Sequence, residues 1–227
     1  MGPCREQVAP DCVSNVGKPS WAAGYWEQAE LDDPSVRAMD NAGELTVTID
    51  PTGGSKFLVF KQLDMFGPPI KDSILRLEVR QIPNPATQAQ FLFGMGSEQE
   101  RLLFVVSQGR LSVRRDLGIE DPPGSGDVKT GPYQATERAV EEAELFSAVE
   151  RGTRWLQIQE EGGLVRFSVG VTEDDLEEVY TEVTPYGLGE DETARATILV
   201  GRWRDELLPP NQVALGTFCH CPIRAAR

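Results

Sequence analysis

The chain has 227 residues, with 22 Lys and Arg against 36 Asp and Glu, a formal net charge of −14. That balance argues against a partner bound through phosphates, whether nucleic acid or anionic lipid, because such contacts need clustered Lys and Arg. Apolar residues at 40% can supply a core, which excludes wholesale disorder, and no run of about 18 apolar residues exists to make a membrane-spanning helix.

Residues 1–43 read as irregular, with Trp21, Tyr25 and Trp26 set among Gly, Pro and Asp. They are expected to wrap the edge of a domain that spans 44–221, as an N-terminal arm or short strand packing on it, with 222–227 as a tail. From Glu44 the reading is almost entirely strand. ELTVTID (44–50) alternates, and after the turn Asp50-Pro-Thr-Gly-Gly comes SKFLVFK (55–61). SILRLEVRQI (73–82) places Leu75, Leu77 and Val79 on one face and Arg76, Glu78 and Arg80 on the other, the pattern of an antiparallel sheet with one wet side. QFLFGMG (90–96), RLLFVVS (101–107) and GRLSVRR (109–115) follow, the last two joined at Ser107-Gln108-Gly109. Residues 116–133 contain PPGSG and read as a long loop. In 135–149, ATERAVEEAELFSAV, helix propensity and strand alternation compete; a sandwich favours the strand. TRWLQIQE (153–160) and LVRFSVG (164–170) flank a Gly162-Gly163 hairpin signal, and EEVYTEV (177–183), ARATILVGRW (194–203) and QVALGTFCHC (212–221) complete about eleven strands. No βαβ pattern is present, so the expected fold is an all-β, two-sheet antiparallel sandwich in a single domain.

The cysteines sit at the two ends: Cys4 and Cys12, then Cys219 and Cys221. A spacing of eight and a C-x-C pair fit structural zinc poorly, even with His220 as a spare ligand. Strand residues two apart have Cα atoms near 6.5–7 Å, which disfavours a Cys219–Cys221 bond. Cys4 and Cys12 are therefore expected to pair with Cys219 and Cys221, in a register that the sequence leaves open. Disulfides imply an oxidising compartment, extracellular or periplasmic. The start MGPCREQ has no hydrophobic stretch, and the expectation is that Met1 and Gly2 stand where an export signal has been removed.

The run Arg154-Trp155-Leu156-Gln157-Ile158, then Glu-Glu-Gly-Gly, then Val165-Arg166-Phe167-Ser168 resembles a recurring bacterial pattern: a strand "RWxRI", a Gly hairpin and a strand "hxFxxS". This resembles bacterial domains of the concanavalin A-like lectin/glucanase superfamily, the laminin-G-like jelly rolls. The pattern covers residues 140–221. The chain departs from it between Ser168 and Tyr180, which lack the family's Asp-Gly turn and Trp. The resemblance implies a jelly-roll sandwich with its first and last strands adjacent, in agreement with the cysteine pairing.

Some glycosidases of that superfamily carry E-x-D-x-E on one strand, where alternation aims all three acids into the cleft. Glu173, Asp175 and Glu177 have this spacing. Asp174 stands where an apolar residue should separate the acids, and five acids in six residues read as a solvated turn. Laminin-G-like domains often bind calcium on a rim loop. The acidic stretches that could supply it are Asp116, Glu120 and Asp121, or residues 190–192, and a site would need about six or seven converging oxygens. Trp155 faces opposite to Leu156 and Ile158, as a core Trp with a polar partner face or as a surface platform; the core reading is favoured because large aromatics in strands usually pack. Trp203 and Tyr186 are the better exposed aromatics for a ligand. His220 would need a Ser or Cys nucleophile and an acid to act in a triad, and no G-x-S-x-G occurs. The expected function is a non-catalytic exported binding module for a glycan or a protein at the cell surface. The alternatives are a glycoside hydrolase or lyase using the Glu173, Asp175 and Glu177 acids, and a structural accessory domain.

Overall fold

The structure, a computed structural model, describes residues 12–15, 21, 26–29, 36–41, 43–50, 56–62, 69–96, 100–117, 154–184, 194–202 and 211–223. The segment 135–149, where helix and strand compete, lies outside them. Among the described residues there are fourteen strands and no helix. They are β1 (Val13–Ser14), β2 (Trp26–Ala29), β3 (Val36–Asn41), β4 (Glu44–Ile49), β5 (Lys56–Gln62), β6 (Ser73–Gln81) and β7 (Ala89–Gly96). Then follow β8 (Glu100–Ser107), β9 (Arg110–Leu117), β10 (Trp155–Glu161), β11 (Leu164–Gly170), β12 (Leu176–Val183), β13 (Arg195–Arg202) and β14 (Asn211–Pro222).

The strands form two antiparallel sheets. The first runs β12-β11-β10-β6-β14-β4-β3, with β1 also on β14; the second runs β2-β5-β13-β7-β8-β9. The expectation of an all-β two-sheet sandwich is met. The arm residues do more than pack on it: β1 and β3 join the first sheet and β2 joins the second.

Alternation decides which face of each strand is buried. In β4, Leu45, Val47 and Ile49 point inward, and in β6 Leu75, Leu77 and Val79 do the same. The second sheet differs. Its β7, β8 and β13 are buried on both faces, and Leu92, Leu103, Val105 and Leu199 form a cluster separate from the main core. Strands buried on both sides read as continuous apolar runs, which is how RLLFVVS appears in the sequence.

Between the sheets, Phe104 of β8 meets Phe167 of β11 edge to face, with centroids 4.9 Å apart, and Phe167 meets Tyr180 of β12 at 5.9 Å. A bulge opposite Phe167 and Ser168 lets consecutive residues Val179 and Tyr180 both pack on the core. Arg115 of β9 and Glu182 of β12, 3.0 Å apart, tie the two sheets at this edge. Both predicted hairpins are two-residue loops with positive φ at both positions: Gln108 (51°) and Gly109 (72°), then Gly162 (60°) and Gly163 (81°). This turn geometry matches the twist of the strands it joins.

The last strand organises the site. β14 pairs with β4 through residues 211–215 and with β6 through 214–222, with an irregularity between Leu215 and Phe218. There the Gly216 carbonyl accepts from Asn15 Nδ2 (3.0 Å) and Trp21 Nε1 (2.5 Å), while Asn15 Oδ1 accepts from the Phe218 amide (2.8 Å). On the other side the Glu78 carboxylate accepts from the Thr217 amide (3.0 Å). Burial alone would raise the Glu78 carboxyl, but the Thr217 N–H and the Arg80 guanidinium outweigh it and hold the group below its usual value. Beyond this bend β6 still occupies one side of β14, so β1, paired Val13 to His220 and Ser14 to Cys219, takes the side that β4 has left.

Candidate functional site

The outer face of the first sheet gathers several of the residues that the sequence singles out. The registers of β14, β6, β10 and β11 set Cys219, Arg76, Gln157 and Ser168 side by side in one row. All four face away from Leu75, Leu77, Leu156 and Ile158, which enter the main core. Gly170 ends β11, and the chain turns back through residues 171–175 into β12. A side chain at position 170 would collide with the Asp175 carbonyl oxygen, so the turn closes only over a glycine.

That turn carries Glu173, which is 5% exposed. Its Oε1 lies 3.3 Å from Arg76 Nη1, and Arg76 Nε donates to Gln157 Oε1 at 2.6 Å. Burial draws the Arg76 guanidinium below its ordinary value, and the neighbouring Glu173 and Asp174 partly offset this. Here the structure departs from the sequence reading. The acidic run is not a uniformly solvated turn: Asp174, Asp175, Glu177 and Glu178 are exposed, but Glu173 is folded under and paired. The reason is a cation waiting beneath it, since a buried carboxylate is tolerated only with a charged or hydrogen-bonding partner. Glu173 and Asp175 belong to the turn and only Glu177 to β12, so the three do not share one strand face.

Trp155 is 5% exposed, yet it does not lie between the sheets. It packs on the outer face against Cys219 and Cys221, with Cys12 and Leu176 beside them, in a cluster distinct from the main core. It is therefore neither an inter-sheet core residue nor an open platform. Its cover includes a cross-link: Cys12 is bonded to Cys221, with Cα atoms 4.3 Å apart. Cys219 is disulfide-bonded as well, and Cys4 lies outside the described residues. The expected arm-to-last-strand pairing is thus present for Cys12, with Cys221 as its partner.

His220 points the other way, into the sandwich, and is fully buried. Alternation separates it from both neighbouring cysteines, so the three cannot share a metal. Its Nε2 lies 3.1 Å from Ser73 Oγ, and that hydroxyl donates to the Ile70 carbonyl at 2.6 Å. The serine proton is committed to the carbonyl, so the imidazole donates to Oγ. A general base would have to accept from it. Desolvation, with a smaller contribution from the Arg195 charge, lowers the His220 pKa to about 3 and keeps the ring neutral. Next to Ser73, Glu160 is equally buried. It accepts from the Asp72 amide (2.6 Å), the Gly163 amide (3.2 Å) and Thr184 Oγ1 (2.9 Å), binding three connections at one end of the sandwich. Neither residue stood out as structural in the sequence. The only available sign for Glu160 was its place just ahead of a Gly-Gly turn.

Trp203, Tyr186, Glu120, Asp121 and residues 190–192 lie outside the described residues. Asp116 sits on β9 in register with Arg101. Among the described residues no three His, Cys, Asp or Glu side chains come together as a metal site.

No family model and no curated protein matches the sequence. Solved structures do share its architecture. A Crh5 transglycosylase in complex with NAG is 12% identical, with a TM-score of 0.55 over 100% of this chain and 92% of that one. A beta-1,3-glucanase from Mycobacterium marinum is 9% identical, with a TM-score of 0.51 over 93% of this chain and 100% of that one. A Bacteroides ovatus mixed-linkage glucan GH16 protein, in complex with a G4G4G3G product, is 7% identical, with a TM-score of 0.50 over 87% and 94%. The fold is the concanavalin A-like jelly-roll sandwich that the sequence resembles.

Proposed function

We propose that this concanavalin A-like sandwich is a non-catalytic, exported binding module that recognises a glycan or a protein partner at the cell surface. The observation that carries the reading is the state of Glu173. A glycosidase needs two carboxylates facing each other across an open cleft, whereas Glu173 is buried on a guanidinium and Glu177 is exposed on the next strand. The Cys12–Cys221 bond supports an oxidising compartment. The similar structures solved with NAG and with a glucan product make a glycan the first ligand to test. Trp203 and Tyr186 are the aromatics offered for stacking on it.

The experiment is a glycan-array screen, followed by calorimetry and a product-release assay on the glycans that bind. Binding is expected with no release of reducing or unsaturated ends. Glu177→Gln should bind as the wild type does. Trp203→Ala or Tyr186→Ala should lose up to about tenfold in affinity, as the loss of one aromatic contact implies. Release of sugar by the wild type that Glu177→Gln abolishes would overturn the reading in favour of a hydrolase or lyase.

A further inference from the structure

We propose that Arg76 anchors a carboxylate-binding site on the outer face of the first sheet, that Glu173 fills this site from within the chain, and that the carboxylate of an acidic sugar displaces it. The inference goes beyond the reading above and uses neither Trp203 nor Tyr186. An arginine on the wet side of a strand ordinarily keeps its charge in water. Arg76 does not: its side chain is 11% exposed, and burial draws the guanidinium below its ordinary value. A buried guanidinium needs an anion, and the best match is a carboxylate that takes two parallel N–H bonds from the fork. Glu173 supplies less than that. Its Oε1 meets only Nη1, at 3.3 Å, while Nε donates to Gln157 and Nη2 makes no hydrogen bond among the described residues. Gln157 thus fixes the arginine, and one half of its fork is left for a better-fitting carboxylate.

The rest of the row offers what a sugar needs besides that contact. Gln157 is in register with Arg76 on one side and with Ser168 on the other, so polar side chains follow Arg76 at steps of about 5 Å. Gln157 engages its Oε1 alone. Its amide nitrogen and the Ser168 hydroxyl make no hydrogen bond among the described residues, and both suit ring hydroxyls.

The internal ligand sits on a hinge. Of the turn 171–175, only Glu173 is buried; Val171, Thr172, Asp174 and Asp175 are exposed. The turn closes on itself through the Asp175 amide and the Thr172 carbonyl, at 3.3 Å. Ahead of it the Gly170 carbonyl is held by the Arg154 amide at 3.0 Å, and after it Leu176 is in register with Gly170. Withdrawing Glu173 therefore moves turn residues and leaves β11 and β12 paired. Asp174 also acts on Arg76 and repels an incoming anion, so binding of a single sugar unit to the wild type is expected to be weak.

The test is a titration of the full chain with sodium glucuronate, read by calorimetry and by the NMR signals of the Arg76 Nε–H and the 171–175 amides. Glucuronate is expected to shift both sets of signals, and acetate or glucose at the same concentration far less. Glu173→Gln keeps the shape and removes the competing charge. It should bind glucuronate at least about tenfold more tightly, because a site nine-tenths filled from within shows about a tenth of its intrinsic affinity. Arg76→Gln combined with Glu173→Gln removes both charges together and should abolish binding. Equal affinity in the wild type and Glu173→Gln, or binding that survives the double variant, would overturn the proposal. Acetate or glucose acting as strongly as glucuronate would overturn it too. In the wild type, an Arg76 signal that glucuronate does not move overturns it whether or not the variants fold.

Discussion

His220 is the only histidine in the chain, which isolates its contribution to stability. Burial lowers its pKa from 6.5 to about 3. Below pH 6.5 the unfolded chain binds a proton there that the folded chain refuses, so stability falls as pH drops from 6.5 towards 3. Carboxylates such as Glu78, held below its usual value in the fold, add their own loss of stability below about pH 5.5, which leaves the window above that to the histidine. The free energy of unfolding from urea titrations should fall by about 1 kcal/mol between about pH 6.5 and 5.5, and His220→Gln should be nearly flat there. A His220→Gln profile that follows the wild type would refute the assignment. Glu173 and Trp155 carry the same lesson about reach. Alternation correctly turned Trp155 away from Leu156 and Ile158. What it could not convey is that a second cover, built by cysteines more than sixty residues along the chain, would bury the outward face. Nor could an acidic run show that one of its members finds Arg76, a residue distant in sequence.

The strands from β4 onward were legible because each obeys a local rule. β4, β6 and β11 alternate, the continuous runs of β8 and β13 are buried on both sides, and Gly-bearing two-residue loops join β8 to β9 and β10 to β11. β1, β2 and β3 were not legible as strands. β1 and β2, two and four residues long, are too short to show a period, and β3 buries only Val36 and does not alternate; their order comes from the partners β14, β5 and β4. The 171–175 turn is a third kind of element, specified by one residue. Gly170→Ala forces a methyl group against the Asp175 carbonyl, with the Thr172 carbonyl also near. The expected cost is about 1–3 kcal/mol, the range for overpacking, read as a lower urea midpoint. Because the turn presents Glu173 to Arg76, the same variant should disturb that ion pair while leaving the β10–β11 hairpin amides protected in hydrogen exchange. Unaltered stability would mean that the turn tolerates an alternative path.

At the scale of the molecule, one bond joins residues separated by 209 positions, and those positions hold nearly every strand. In the loop-closure account this cross-link contributes about 5 kcal/mol by restricting the unfolded chain. Its mechanical consequence is different in kind. Tension applied to the chain ahead of Cys12 and beyond Cys221 passes from one segment to the other through sulfur, and the loop between them is outside the load path. The sandwich is thus shielded from stretching, as a knot of rope is when its two tails are clipped together. In single-molecule pulling, the oxidised protein should bear force without the long extension that unravelling of this loop would produce. The reduced protein should lengthen by roughly 700 Å at full extension.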